Sequence, residues 1–342
     1  MTPVSTVATE TAEPTGHKPR GRGITSLEIL CGVLLLAIVF QGQIASLLTD
    51  ERIRTASTVF ISVCIQAMPF LVLGVLISGA IAAFVSPERL RKLLPGNQAL
   101  AVPVAGLAGV ALPGCECSAV PVSGRLMQQG VRPAVALTFL LAAPAVNPIV
   151  LGSTAVAFQG EPLMVVARFV GSLATALVMG WLWVRIGKTE WIAERALRRY
   201  ERPAGTSRWG VFAETARHDL VEAGGFLVIG GIIAAVLKVT ASDFFSSLSG
   251  QIVLGVLVMA VAAVVMALCS EADALVAASM SALPLLPRLV FLVVGPAVDV
   301  KLIALQAGTF GRKFVVRFAP LTFLVAILCG VGAFLLVFGE VR

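Results

Sequence analysis

Apolar runs of twenty or more residues recur along almost the whole chain, at about 27–48, 58–85, 131–159, 163–187, 220–240, 286–307 and 315–338. A run of that length, coiled as an α-helix, covers the hydrocarbon of a bilayer. Inside hydrocarbon every backbone amide must find its partner, and a helix satisfies its own. The pattern predicts an all-α polytopic membrane protein. Composition agrees, with 58% hydrophobic residues, 13% charged residues and a mean hydropathy of +0.94. The formal net charge of +7 then reads as topology, because the bases sit in short segments between spans. Lipid is the expected partner of these faces and nucleic acid is not.

Two further apolar stretches, 99–129 and 250–282, are each interrupted by polar residues, "PGCEC" in the first and "CSEAD" in the second. Half-segments of about a dozen residues are too short to cross alone, so both are expected as re-entrant hairpins that leave on the side they entered. With the N-terminus inside, nineteen of the 26 Lys and Arg residues fall in cytoplasmic segments. A full crossing by 99–129 would turn the basic loop 185–219 outward, against the positive-inside tendency. The expected organisation is a disordered cytoplasmic tail (1–26) with no cleaved signal, and an extra N-terminal transmembrane helix and loop (27–57). A first transport repeat (58–187), a cytoplasmic amphipathic linker (188–219) and a second repeat (220–342) follow. The C-terminus is placed outside.

The repeat rests on register. "FLVLGVLISGAIAAF" at 70–84 resembles "FLVIGGIIAAVLKV" at 226–239. "CSAV" from Cys117 corresponds to "CSEA" from Cys269, and "PAVN" (144–147) to "PAVD" (296–299), both at an offset of 152 residues. Three true crossings per unit turn the second copy upside-down. Inverted repeats with broken helices meeting near the midplane are a recurring transporter architecture.

The breaks carry the chemistry. Ser118 and Ser270 read as N-caps of the returning half-helices, and Ser270 to Asp273 reads as a capping box. Unwound backbone at membrane depth must line protein or water, so the two tips are expected at a central cavity, where Cys115, Cys117 and Cys269 approach one another. Three thiols with nearby carboxylates make a soft site, suited to Cu(I), Zn(II) or trivalent arsenic species as substrates. A purely structural turn is the bland alternative, and a Cys115–Cys117 disulfide would be strained. Glu116, Ser118, Ser270 and Asn147 are candidate substrate-binding residues beside the cysteines. Glu271, Asp273, Asp299 and Lys301 are candidate proton-coupling residues, since ionisable groups at such depth are functional candidates by default. The competing reading for Asp299 and Lys301 is mutual neutralisation, which their i, i+2 spacing on a regular helix disfavours. Asn147, between Pro144 and Pro148, is the counterpart of Asp299 and should break its own span.

Other features absorb less. Cys31, Cys64 and Cys329 sit singly in apolar segments as small core residues. "RIGKT" at 185–189 lacks the first glycine of a P-loop and follows no strand. His17 and His218 are cytoplasmic, which excludes a histidine-rich metal site. Residues 190–219 alternate charge with Trp191, Trp209 and Phe212 and read as an interfacial helix. Gly74 and the glycines of 224–231 suit close helix packing.

At "PGCECSAVPVSGRLMQQGVRPAVALTFLLAAPAVNPI" (113–149) and "CSEADALVAASM" (269–280) the chain resembles the predicted permeases of the ArsP/YraQ type, also known as DUF318 or UPF0718. The resemblance runs from about residue 58 to 338. It implies a bacterial inner-membrane permease, whose relatives are linked to efflux of trivalent organoarsenicals and to handling of copper or zinc. It carries over Cys115 and Cys117 in the paired-cysteine motif and Cys269, Glu271 and Asp273 in the second. Arsenical-exporting relatives often show a different residue between the paired cysteines, so Glu116 shifts the expectation toward a divalent cation. The expected function is export of a thiophilic metal or metalloid by alternating access at the tips, with no enzyme activity and no cofactor. The alternatives are a membrane thiol-redox protein using Cys115 and Cys117, and a structural membrane subunit. A homodimer is left open.

Overall fold

The computed structural model describes residues 51–85, 95–111, 116–197, 207–245, 252–280 and 283–339. The expected tail, the first span 27–48 and Cys115 lie outside them. The chain divides into two compact units, Met1–Arg54 and Thr55–Arg342, and the described residues lie almost wholly in the second.

Among the described residues every regular element is helical, as the fold class predicted. The first half runs α1 (Glu51–Phe84), α2 (Gln98–Ala108), α3 (Glu116–Gln128), α4 (Pro133–Val146), α5 (Pro148–Ala157) and α6 (Leu163–Ile186). After a short α7 (Glu194–Leu197) the same order returns as α8 (Arg208–Phe245), α9 (Ile252–Met266), α10 (Ser270–Ser279), α11 (Leu285–Ala297), α12 (Val300–Phe310) and α13 (Arg312–Phe338). Each half thus presents a long helix, a short apolar helix, a short helix starting at the cysteine motif, a span broken in two, and another long helix.

Six segments are long and apolar enough to cross a membrane: Ile53–Phe84, Pro133–Ala157, Leu163–Ile186, Arg208–Val236, Leu285–Phe310 and Arg312–Phe338. They match six of the seven expected spans, and the seventh lies outside the described residues. Two of the six are the broken spans α4–α5 and α11–α12. These are 78% and 83% buried, against 28% to 50% for the other four. The broken spans therefore form the centre, and the intact ones bury one face and turn Ile, Leu and Val of the other outward, as at Ile65, Ile232 and Leu328. Such an outer face suits lipid, which is as apolar as the side chains themselves.

Each short cysteine-motif helix packs across the halves. α3 lies on α4 and also on α12, while α10 lies on α11 and also on α5. Two glycines let helix backbones meet beside the motif residues. A Cβ at Gly74 on α1 would come within 2.5 Å of Ser118 Cα, and one at Gly230 on α8 within 2.9 Å of Lys301 Cα. Small residues let backbones meet in this way where bulkier ones would hold them apart.

The helical start of the second half comes earlier than the apolar run suggests. α8 already begins at Arg208, so the last twelve residues assigned to the linker are helical. Between α6 and α7 lies a single 3₁₀ turn, Thr189–Trp191, with the Arg317 guanidinium 5.0 Å above the Trp191 ring.

Candidate transport site

The two central spans break where proline and a short polar side chain make helix unfavourable. Asn147 precedes Pro148, whose ring disfavours helical backbone at the residue before it. It is extended at φ −74°, ψ 156°, and its Oδ1 accepts the Val150 N–H at 3.0 Å to cap α5. Its Nδ2 donates to the Ala143 carbonyl at 3.0 Å, tying the end of α4 to the start of α5. In the second half α11 ends just after Pro296, and Asp299 caps α12 by accepting the Leu302 N–H at 2.6 Å. The expected correspondence of Asn147 with Asp299 holds down to the capping bond.

Asp299 is therefore not inside a regular helix, and the spacing rule that separates i from i+2 does not govern it. Lys301 turns back and places its Nζ 3.5 Å from Asp299 Oδ2. The stronger partner comes from the other half: Nζ donates to Glu116 Oε1 at 2.9 Å and to the Leu268 carbonyl at 3.2 Å. Glu116 opens α3, and its second oxygen accepts from Ser270 Oγ at 3.2 Å. Glu116 and Lys301 are both about 1% exposed. An ion pair this deeply buried persists only with further hydrogen bonds, and removing one partner strands the other.

Both described motif cysteines lie beside this knot. Cys117 and Cys269 are buried, at 0% and 2% exposure, and each is the chain neighbour of a residue in the knot, Glu116 before Cys117 and Ser270 after Cys269. Cys269, rather than Ser270, is the N-cap of α10, and its side chain makes no capping bond. Likewise α3 already includes Glu116, so Ser118 lies within the helix instead of capping it. The serines serve other ends. Ser270 bridges to Glu116, and Ser118 is the surface on which Gly74 rests. The turn before Cys269 is unusual: Ala267 holds left-handed backbone at φ 46° while fully buried, a conformation that costs an L-residue roughly 1–2 kcal/mol.

A second cluster surrounds Arg168 on α6, the sixth residue of the apolar run 163–187. It is completely buried. One nitrogen donates to Thr154 Oγ1 on α5 at 2.7 Å, the other to the Ser270 carbonyl at the start of α10 at 2.8 Å. Asp273 and Glu271 are its ionisable neighbours. Among the described residues neither forms an ion pair with it, and both Glu271 carboxyl oxygens, Asp273 Oδ2 and Arg168 Nε lack a hydrogen-bond partner. Asp273 lies against Gly295, where a Cβ would come within 2.6 Å of its Oδ2.

A third cluster holds the far end of α3. Arg125 donates to both Asp219 carboxyl oxygens at 3.1 Å, to Gln128 Oε1 at 2.7 Å and to Ser78 Oγ at 3.4 Å, joining α3 to α8 and α1. A cavity of about 400 Å³ lies elsewhere, between Pro95, Ala101, Gly130 and Arg132. Among the described residues no three of His, Cys, Asp and Glu gather closely enough to hold a metal ion.

A bundle of apolar spans whose two central members break at capped polar residues, with charged groups buried at the breaks, defines a multi-pass helical membrane protein. The family model described as "Predicted permease" (ArsP_1) matches residues 52–333. The chain belongs to this family of permeases. It is 35% identical over 277 residues to "UPF0718 protein YcgR" of Bacillus subtilis (strain 168), covering 80% of this chain and 94% of that protein. It is 30% identical over 276 residues to "Putative two-component membrane permease complex subunit" of Streptococcus mutans serotype c (strain ATCC 700610 / UA159), covering 79% and 92% respectively. No solved structure matches the chain.

Proposed function

We propose that the chain is a secondary transporter of the bacterial inner membrane that exports a thiophilic cation or metalloid, such as Zn(II), Cu(I) or a trivalent organoarsenical. The observation that carries this reading is the buried ion pair of Glu116 with Lys301, with Asp299 at 3.5 Å, beside the two motifs that hold the buried Cys117 and Cys269. Thiols supply soft ligands, the carboxyl groups favour positive charge, and the ammonium is the internal cation that an arriving cation displaces. Cys115 is assigned as a further ligand on the sequence motif. Glu271, Asp273, Asp299 and Lys301 are assigned to the coupling proton, and Asn147, Ser118 and Ser270 to positioning the substrate. The two cysteine-motif stretches act as re-entrant hairpins of an inverted repeat, with the N-terminus in the cytoplasm and the C-terminus outside.

Burial of the motif cysteines favours transport over thiol exchange, because a soluble redox partner needs a thiol it can reach, and Cys117 is 0% exposed. The test is uptake into everted vesicles of Zn(II), Cu(I) or methylarsenite by the parent chain and by Cys115→Ser, Cys117→Ser and Cys269→Ser. Loss of a ligand should lower transport of the true substrate at least about tenfold, since even outer-shell changes cost that much in metal affinity. Equal transport of every probe by all four proteins removes the thiols from the pathway.

A further inference from the structure

Arg168 has no part in the proposed transport chemistry, yet it is the most deeply buried guanidinium among the described residues and it joins the two halves. Thr154 and Arg168 belong to the first half, while the Ser270 carbonyl that receives its second bond opens α10 of the second. α10 packs on α5, so this guanidinium fastens the start of α10 onto the helix beneath it. Ser270 then carries the connection onward, since its Oγ donates to Glu116, the partner of Lys301. One residue thus touches both charged clusters.

The bonds Arg168 makes are the weaker ones open to it. A guanidinium meets in a carboxylate an opposite full charge, and often two parallel bonds, which a lone hydroxyl or carbonyl oxygen does not offer. Here it donates to a hydroxyl and a carbonyl. The carboxyl groups of Asp273 and Glu271, its ionisable neighbours, keep three oxygens without a partner among the described residues, and Arg168 Nε has none either. The same three side chains therefore have a second arrangement open to them, in which the guanidinium leaves the Ser270 carbonyl and pairs with carboxylate. Packed interiors switch between such discrete arrangements rather than deforming gradually.

We infer that Arg168 is a positioning residue, a latch holding the α10 end of the second hairpin against α5, and that its transfer from the Ser270 carbonyl to the Asp273 and Glu271 carboxylates releases that hairpin during transport. Lys301 performs the matching service for the first hairpin by gripping Glu116, also from the opposite half. The latch rests on the reading of the cysteine-motif stretches as moving hairpins, but not on which substrate is carried or which atoms bind it.

The test uses full-length chains that keep one cysteine, Cys269 or Cys117, with the other five changed to serine. They are exposed to a membrane-impermeant maleimide in right-side-out and everted vesicles with no substrate present. Arg168→Met should raise Cys269 labelling from one side by about tenfold, the shift in a two-state equilibrium that loss of one charge-assisted hydrogen bond produces. Arg168→Lys, which keeps the charge but not the fork, should fall between Met and the parent. Cys117 labelling should stay at the parent rate. Thr154→Val, which removes one anchor and leaves every charge in place, should raise Cys269 labelling less than Arg168→Met, and it carries the test if Arg168→Met does not fold. Asp273→Asn, which removes the alternative partner, should leave Cys269 at or below the parent rate. The latch is overturned if Arg168→Met or Thr154→Val leaves Cys269 unchanged, if Cys117 rises with it, or if Asp273→Asn opens the site. Zn(II) transport surviving in Cys269→Ser would remove the thiol ligand while leaving these labelling outcomes intact.

Discussion

The helices α3 and α10 hold the same place in the two halves, and they are secured very differently. α3 is ion-paired at both ends to the second half, by Glu116 to Lys301 at 2.9 Å and by Arg125 to Asp219 at 3.1 Å. α10 is held by bonds at its first residue, Ser270, while its own acids, Glu271 and Asp273, form no ion pair among the described residues. Two copies of one architecture have thus separated into a clamped member and a lightly fastened one. Local opening follows the weakest set of contacts, so the second cysteine motif is expected to yield before the first.

The comparison breaks most visibly at Lys301. Lys301→Met leaves Glu116 and Asp299 buried without their cation, and stranding a buried charge costs roughly 3–5 kcal/mol. The expected outcome is a large fall in melting temperature in detergent, partly recovered by adding Glu116→Gln. Full additivity of the two changes would deny their coupling. A smaller effect is expected at the other end of α3. Asp219→Asn removes the charge from a bond worth about 1.5–3 kcal/mol, so hydrogen exchange should rise in α3 and remain unchanged in α10. Equal acceleration in both helices would erase the distinction between them.

The capping pair sharpens the comparison further down the scale. Asn147→Ala should cost about 1 kcal/mol, the usual worth of an N-cap, read as a shift in denaturation midpoint. Asp299→Ala should cost more, because it also takes a carboxylate from Lys301. The smallest change is expected at Gly224, where a Cβ meets nothing within 4 Å. Alanine there should be neutral or stabilising by up to about 1 kcal/mol, since glycine is unfavourable in a helix interior. Gly74→Ala instead meets the backbone of Ser118 and should be destabilising.

Much of this fold is legible in the sequence because the bilayer demands long apolar runs and allows few ways to interrupt them. Pro148 after Asn147, and the 152-residue register linking Cys117 to Cys269 and Pro144 to Pro296, announce the breaks directly. Arg168 stays hidden, because a basic residue six positions into a span reads as an end marker. Its burial depends on α5 and α10 coming to meet it, and nothing local encodes that. Asp299 and Lys301 mislead for a similar reason. Their spacing argues against contact only while both are assumed helical, and Asp299 lies just outside the helix it caps. The serines at the motif sites have good capping chemistry, but α10 begins one residue earlier than they suggest, leaving Ser270 to bridge toward Glu116. The Arg125–Asp219 pair joins residues 94 positions apart, which no periodicity connects.

Ala267 sits in a twist of backbone that only glycine adopts comfortably, immediately before the Leu268 carbonyl that receives Lys301. Untwisting that one residue would let α9 run on by another step and would draw the carbonyl away from the ammonium. The torsional cost borne by a single alanine is thus what keeps the Leu268 carbonyl turned to where the ammonium reaches it.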